Sequence, residues 1–287
     1  TVMQKIWVCG ARGQIGQAVN DVVDKLEFEM LDTDVDDLDV TDTDEVLRFG
    51  EMNRPDIIIN CSGMTDISSC EENPSQAFKV NALGARNLAI VAANMQAKMV
   101  QLSTDDVFDG KSTEPYTEFD ITNPGTVYGK SKLAGENYVK EFTTKHFIVR
   151  STWVYGKGQN FINGFLKKVD AGEQLSIASD QFGSPTSANE LARFLLHLVH
   201  TSEYGTYHAT NKGVCSRYAF AQEILKMTGK TASMQPVPTV MSDFSKVRPA
   251  YAVLDNFIMS MVPIYDFPDW QDSLREYLEE RGLYHAE

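Results

Sequence analysis

The sequence predicts an α/β fold, a Rossmann-type doubly wound parallel sheet with a smaller C-terminal lobe, and three features carry that expectation. Short β-rich runs alternate with helix-period segments through the first half of the chain. Three glycines fall within seven positions between the first run and the first helix, and the alternation loosens after Arg150.

The strand candidates are Lys5 to Cys9, Phe28 to Leu31, Asp56 to Cys61, Met99 to Ser103 and His146 to Arg150. Each is apolar enough to be a parallel strand buried on both faces. Amphipathic helices fall between them. The clearest carries Val80, Leu83, Leu88, Val91, Ala92 and Met95 near i, i+3, i+4 spacing. Beyond Arg150 a polar loop, Gly156 to Asn160, precedes a helix over Phe161 to Val169, and Asp180 to Thr186 reads as a turn. Further helices are expected over Asn189 to His200, Tyr218 to Met227 and Trp270 to Leu283, with a proline-containing stretch from Pro236 to Pro268. The organisation read from this is a dinucleotide-binding domain over residues 1–150 and a mainly substrate-binding lobe over 151–287. The lobe has room to lend an element back to the sheet, and a cleft is expected between the two parts.

A chain of 287 residues with 43% hydrophobic content can bury a substantial core, which argues against disorder. Its net charge of −14 argues against a general nucleic-acid binder, since such proteins need clustered cations to displace phosphate counterions. The four cysteines form no C-x-x-C pair and have no histidine at metal-ligand spacing, so no metal site is expected and the thiols suit a reducing compartment. No stretch is apolar for long enough to span a bilayer, and Thr1 to Gln4 do not read as a secretion signal. The expectation is a cytoplasmic protein, monomer or homodimer, with a small-molecule partner and neither nucleic acid nor membrane.

The glycine loop runs Gly10-Ala11-Arg12-Gly13-Gln14-Ile15-Gly16, directly between strand and helix. Glycines are needed there because the chain turns sharply, the backbone must approach a pyrophosphate, and the helix must pack closely on the sheet. Gly10, Gly13, Gln14, Ile15 and Gly16 are therefore candidate cofactor residues. Asp32 ends the second strand, where a carboxylate suits an adenosine ribose and NADH, whereas Arg12 suits the 2′-phosphate of NADPH. Both cofactors stay open.

Tyr128 and Lys132 lie four apart at the start of a helix, so phenol and ammonium approach one ligand from one face. A neighbouring cation favours the phenolate, which makes the tyrosine a better acid and base near neutral pH. Thr104 ends the fourth strand, and ligands of an open parallel sheet gather at the carboxyl ends of strands. Thr104, Tyr128 and Lys132 are the candidate catalytic residues.

With these motifs assembled, the chain resembles the extended short-chain dehydrogenase/reductases and, more narrowly, the dTDP-4-dehydrorhamnose reductase family. The resemblance runs over nearly the whole length. It is carried by the glycine loop, Leu38-Asp39-Val40-Thr41-Asp42, Val80-Asn81-Ala82-Leu83-Gly84, Ser103-Thr104-Asp105 and Tyr128-Gly129-Lys130-Ser131-Lys132-Leu133-Ala134-Gly135-Glu136. Its more specific part is Arg150-Ser151-Thr152-Trp153-Val154-Tyr155-Gly156, Asp180-Gln181-Phe182-Gly183-Ser184-Pro185-Thr186 and Arg248-Pro249. The family implies hydride transfer to the 4-keto carbon of a dTDP-linked deoxysugar while the tyrosine protonates the oxygen. By resemblance, Lys132 also holds the nicotinamide ribose, Asp39 and Val40 flank the adenine, Trp153 touches substrate and Arg248 lies near the diphosphate. Cys61, Ser62, Gly63 and Asn81 complete the cofactor candidates, and Asp105, Asp106, Asn160, Phe161 and Gln181 the substrate candidates.

Departures from the family pattern keep two alternatives open. Asp106 stands where tyrosine is usual, and Met64-Thr65-Asp66-Ile67-Ser68-Ser69 and Val247 also differ. Sugar-nucleotide 4,6-dehydratases resemble this family and use paired carboxylates at the corresponding place, so Asp105 and Asp106 suggest dehydration or epimerisation as a rival. A catalytically idle NADP-binding subunit, like the regulatory subunit of methionine adenosyltransferase, is the other.

Overall fold

The structure, a computed structural model, describes residues 2–244 and 249–286. Along the chain run β1 (Gln4–Cys9), α1 (Gln14–Val22), β2 (Phe28–Thr33), α2 (Thr43–Asn53), β3 (Ile57–Asn60), α3 (Ile67–Glu72), α4 (Pro74–Phe78), α5 (Gly84–Met95), β4 (Lys98–Thr104), α6 (Val127–Phe142) and β5 (His146–Ser151). The second half adds β6 (Val154–Tyr155), α7 (Phe161–Asp170), β7 (Leu175–Ala178), β8 (Phe182–Gly183), β9 (Thr186–Ser187), α8 (Ala188–Leu198), β10 (Gly205–His208), β11 (Cys215–Ser216), α9 (Arg217–Thr228), β12 (Met234–Val237), α10 (Phe257–Met261) and α11 (Trp270–Glu280).

A six-stranded sheet in the order β10-β5-β4-β3-β1-β2 is parallel throughout and organises the molecule. Its central strands are apolar on both sides because both sides are covered. Ile6, Val8, Val100, Phe147 and Val149 face α1 and α8, whereas Trp7, Ile58, Met99 and Ile148 face the helices that carry Val46, Leu88 and Val139. The direction of winding reverses between β1 and β3, and in such sheets the crevice beyond the carboxyl ends at that point is where ligands bind.

Two elements from beyond Arg150 belong to this body. β10 closes the sheet beside β5, and α8 packs on α1. The remaining lobe has its own core, in which Tyr155, Phe165, Ile177, Phe220 and Ile224 meet Trp270 and Leu274 of α11. The run expected as a turn, Asp180 to Thr186, contributes β8 and β9, which pair with β11 and β6. Among the described residues, no helix is long and apolar enough to cross a membrane.

Candidate active site

A cleft of about 920 Å³ opens along the carboxyl ends of β1, β3, β4 and β5, with the lobe as its far wall. Gly13, Gln14 and Ile15 border it from the glycine turn, Cys61, Ser62 and Gly63 from the loop after β3, and Thr104, Asp105, Tyr128 and Lys132 from β4 and α6. Trp153, Asn160 and Phe161 enter from the lobe, together with Arg217, Phe220 and Phe244.

The glycine turn has the shape that a bound diphosphate needs. Gly10 adopts φ +80°, and a Cβ there would lie 2.6 Å from the Ser62 nitrogen. At Gly16 a Cβ would sit 2.4 Å from the Gly10 oxygen, so α1 can start this close to the strand only without a side chain. Gly13 caps α1 with no side-chain acceptor, which leaves the first backbone N–H groups of the helix facing the cleft. Gln14 ties this turn to the lobe: its Oε1 accepts from the Gly156 nitrogen at 2.8 Å and from Asn160 Nδ2 at 3.1 Å.

On α6, Thr126 caps the helix by accepting from the Gly129 nitrogen at 3.0 Å, which sets the phase of Tyr128 and Lys132. Gly129 is required because a Cβ would lie 2.1 Å from the Asp106 oxygen. Tyr128 has one side among Ile67, Cys70 and Ala77 and the other on the cleft. Lys132 donates to the Leu102 oxygen at 2.9 Å, and burial brings its ammonium down to about 8, partly opposed by Glu136 one turn on. Thr104 Oγ1 donates to Asp105 at 3.3 Å and accepts from the Asp106 nitrogen at 3.2 Å.

Several sequence candidates lie outside the lining of the cleft. Asn81, in a π-helical turn over Lys79–Leu83, brackets Met64: its Oδ1 accepts from the Met64 nitrogen at 2.8 Å and its Nδ2 donates to the Met64 oxygen at 3.0 Å. It thereby holds the loop that carries Gly63. Asp39 accepts from both the nitrogen and the hydroxyl of Thr41, while Val40 packs against Gly84. Arg12 and Asp32 border a separate hollow of about 360 Å³ beside the glycine turn, shared with Asp21, Asp34 and Asp37. There Arg12 pairs with Asp36 at 2.8 Å, and Asp32 accepts from Asn20 at 2.9 Å.

Asp105 and Asp106 are consecutive in a 3₁₀ turn, which sends their side chains in different directions. Asp105 borders the cleft, whereas Asp106 is buried outside it, so the pair does not present two carboxylates to one ligand. Gln181 is likewise buried outside the cleft lining, and Arg248 lies outside the described residues. The altered segment after Met64 starts a helix, because Asp66 accepts from the Ser69 nitrogen at 2.7 Å, and it places Thr65 and Asp66 on the cleft and Ile67 against Tyr128. Arg217 is a cleft residue that the motifs did not single out; a lone arginine at the start of a helix gives no signal in one sequence.

Residues 3–282 match the family model described as the RmlD substrate binding domain. The chain is similar to the spore coat polysaccharide biosynthesis protein SpsK of Bacillus subtilis (strain 168), 35% identical with 98% of this chain and 99% of that protein covered. It superimposes on the crystal structure of a dTDP-4-dehydrorhamnose reductase from Clostridium acetobutylicum with TM-score 0.94 and 40% identity, covering 97% of this chain and 100% of the other. A dTDP-4-dehydrorhamnose reductase from Bacillus anthracis in complex with NADP aligns with TM-score 0.93 and 35% identity, over 98% and 99% of the two chains. A relative built on the same frame over its full length thus accepts a dinucleotide, as the turn at Gly10 to Gly16 is shaped to do. The chain belongs to the dTDP-4-dehydrorhamnose reductase family.

Proposed function

We propose that this protein is an NAD(P)H-dependent reductase of a dTDP-linked 4-keto-6-deoxysugar, with dTDP-4-dehydro-L-rhamnose as substrate and dTDP-L-rhamnose as product. The observation that carries the reading is that Thr104, Tyr128 and Lys132 border the same cleft as the open start of α1. When bound, the nicotinamide cofactor supplies the hydride. Gly13, Gln14 and Ile15 would hold its diphosphate through backbone N–H groups, and Lys132 would hold its nicotinamide ribose.

As hydride reaches the carbonyl carbon, negative charge builds on the oxygen, and a fixed donor there is worth more than one that must reorient. Thr104 supplies one such donor, at the expense of only a long hydrogen bond to Asp105. Tyr128 supplies the other and gives up its proton. The ammonium of Lys132, one turn along α6, opposes the charge left on the phenol. Because Tyr128 is 8% and Lys132 5% exposed, little water competes for either group.

The test is to mix the protein with reduced cofactor and the 4-ketosugar nucleotide and follow the nicotinamide absorbance. Steady oxidation with formation of the 4-hydroxy sugar is expected. Tight cofactor binding with no turnover would overturn the reading in favour of a regulatory subunit. Replacing Tyr128 with Phe should keep cofactor affinity while turnover drops by roughly 10² to 10⁴-fold, the usual contribution of a placed general acid.

A further inference from the structure

We propose that Arg217 is a binding group for the diphosphate of the nucleotide sugar, with its guanidinium fixed in the cleft by Trp153 and Phe161; the proposal rests on the reductase reading above. Arg217 is the first residue of α9, and its nitrogen donates to the Gln181 oxygen at 2.9 Å. The residue is only 5% exposed, yet it borders the cleft. Its guanidinium carbon lies 3.7 Å from the Trp153 ring centre and 4.7 Å from that of Phe161. Aromatic faces hold a guanidinium in place, and its planar fork of N–H groups matches phosphate oxygens two at a time.

The backbone around Trp153 is arranged for this contact. Trp153 adopts φ +48°, a left-handed conformation that bulky residues rarely take and that costs of order 1–3 kcal/mol. A Cβ at Gly183 would lie 2.5 Å from the indole, so the ring occupies space that only a glycine leaves open. The fold therefore holds the indole against Arg217 by a strained turn and a missing side chain.

Charge supports the assignment. Among the described residues lining the cleft, the cations are Lys132 and Arg217, and the carboxylates are Asp66 and Asp105. Lys132 lies on α6 beside the proposed catalytic tyrosine. Arg217 enters from the lobe among Trp153, Phe161, Phe220 and Phe244, a wall whose apolar rings suit a base and sugar and whose cation suits the diphosphate that joins them.

The test compares wild type with Arg217→Met, which removes the charge at similar length, and Arg217→Lys, which keeps the charge but loses the planar fork. Calorimetric titration with dTDP and with thymidine reads the diphosphate separately from the base, and titration with NADPH checks that each variant is folded. For Arg217→Met, dTDP affinity should fall about 10- to 100-fold, the worth of hydrogen bonds to a charged group, with thymidine and NADPH binding unchanged. Arg217→Lys should fall between the two. In turnover the loss should appear in KM for the sugar nucleotide more than in kcat. Wild-type dTDP affinity in a variant that still binds NADPH overturns the proposal; should Arg217→Met fail to fold, the same criterion applies to Arg217→Lys. If wild type binds dTDP yet reduces no 4-ketosugar, the reductase reading fails, while the titrations still decide the role of Arg217.

Discussion

Glu136 and Arg150 form a buried ion pair behind the cleft. Arg150 Nη2 lies 2.6 Å from Glu136 Oε1 and Nε lies 3.0 Å from Oε2, while Ser103 donates to Oε2 at 2.6 Å. The pair joins α6 to β5 one helical turn beyond Lys132, and its outer side is closed by His208, whose imidazole burial and Arg150 hold neutral at about 3. Replacing Glu136 with Gln leaves the guanidinium buried without its counter-charge. Breaking such a pair costs roughly 3–5 kcal/mol, and urea unfolding should show a loss of that size. A variant as stable as wild type would mean that the pair is dispensable to the fold.

The pH dependence of the rate follows from Lys132. Burial lowers its ammonium to about 8, so it is charged below that pH and loses its charge as pH rises through it. The expected profile of kcat/KM in the free enzyme is a fall on the alkaline side with a midpoint near 8. Stability should move the other way. Between about 8 and the ordinary 10.5 the unfolded chain binds the proton more readily, so the cost of burying this ammonium is present below pH 8 and relieved as pH rises. A rate that holds level through pH 9.5, a pH chosen about midway between the two, would remove the Lys132 charge from the mechanism.

At the glycine turn the sharpest test is Gly16→Ala. The new Cβ would meet the Gly10 oxygen at 2.4 Å and the Ala11 Cα at 2.7 Å, both backbone atoms that cannot step aside. The start of α1 must then move from β1. Dinucleotide affinity should fall by at least about tenfold, a shift of about 1.4 kcal/mol, with dTDP binding less affected. Equal cofactor affinity in the variant would show that the turn tolerates relaxation.

On the proposed reading, cofactor preference would be set where Arg12 meets the acidic end of β2. Arg12 is paired with Asp36, and Asp21, Asp32, Asp34 and Asp37 share the hollow it borders, so a 2′-phosphate there would meet net negative charge. We expect kcat/KM to be higher with NADH than with NADPH. Asp36→Asn leaves the Arg12 guanidinium with its longer contact to Asp34, at 3.8 Å, and should shift the ratio toward NADPH about 3- to 5-fold, the scale of an exposed ion pair. A wild-type preference for NADPH would show that Arg12 leaves Asp36 when cofactor binds.

The five strands read from the first half of the sequence are β1 to β5; the central ones are covered on both sides and so carry runs of apolar residues that announce themselves locally, whereas the edge strand β2 is marked only by its Phe28, Met30 and Leu31. The sixth was not legible. β10 is Gly205-Thr206-Tyr207-His208, too short and mixed to read as a buried strand, and only pairing with β5 makes it one. The roles of Asp105 and Asp106 were equally undecided in one dimension, since adjacency in sequence says nothing about direction in a 3₁₀ turn.

By itself the sequence determined the glycine turn, the Tyr128-Lys132 spacing and the order of strand and helix, because sterics and helical periodicity act over a few neighbouring residues. Tertiary structure alone decided that Asp106 is buried away from the cleft, that Arg12 is paired with Asp36, and that Arg217 reaches the rings of Trp153 and Phe161. Those relationships join residues that are separated in the chain, and only the folding of each part of the molecule, the glycine turn beside the end of β2 and the packing within the lobe, brings them within contact distance.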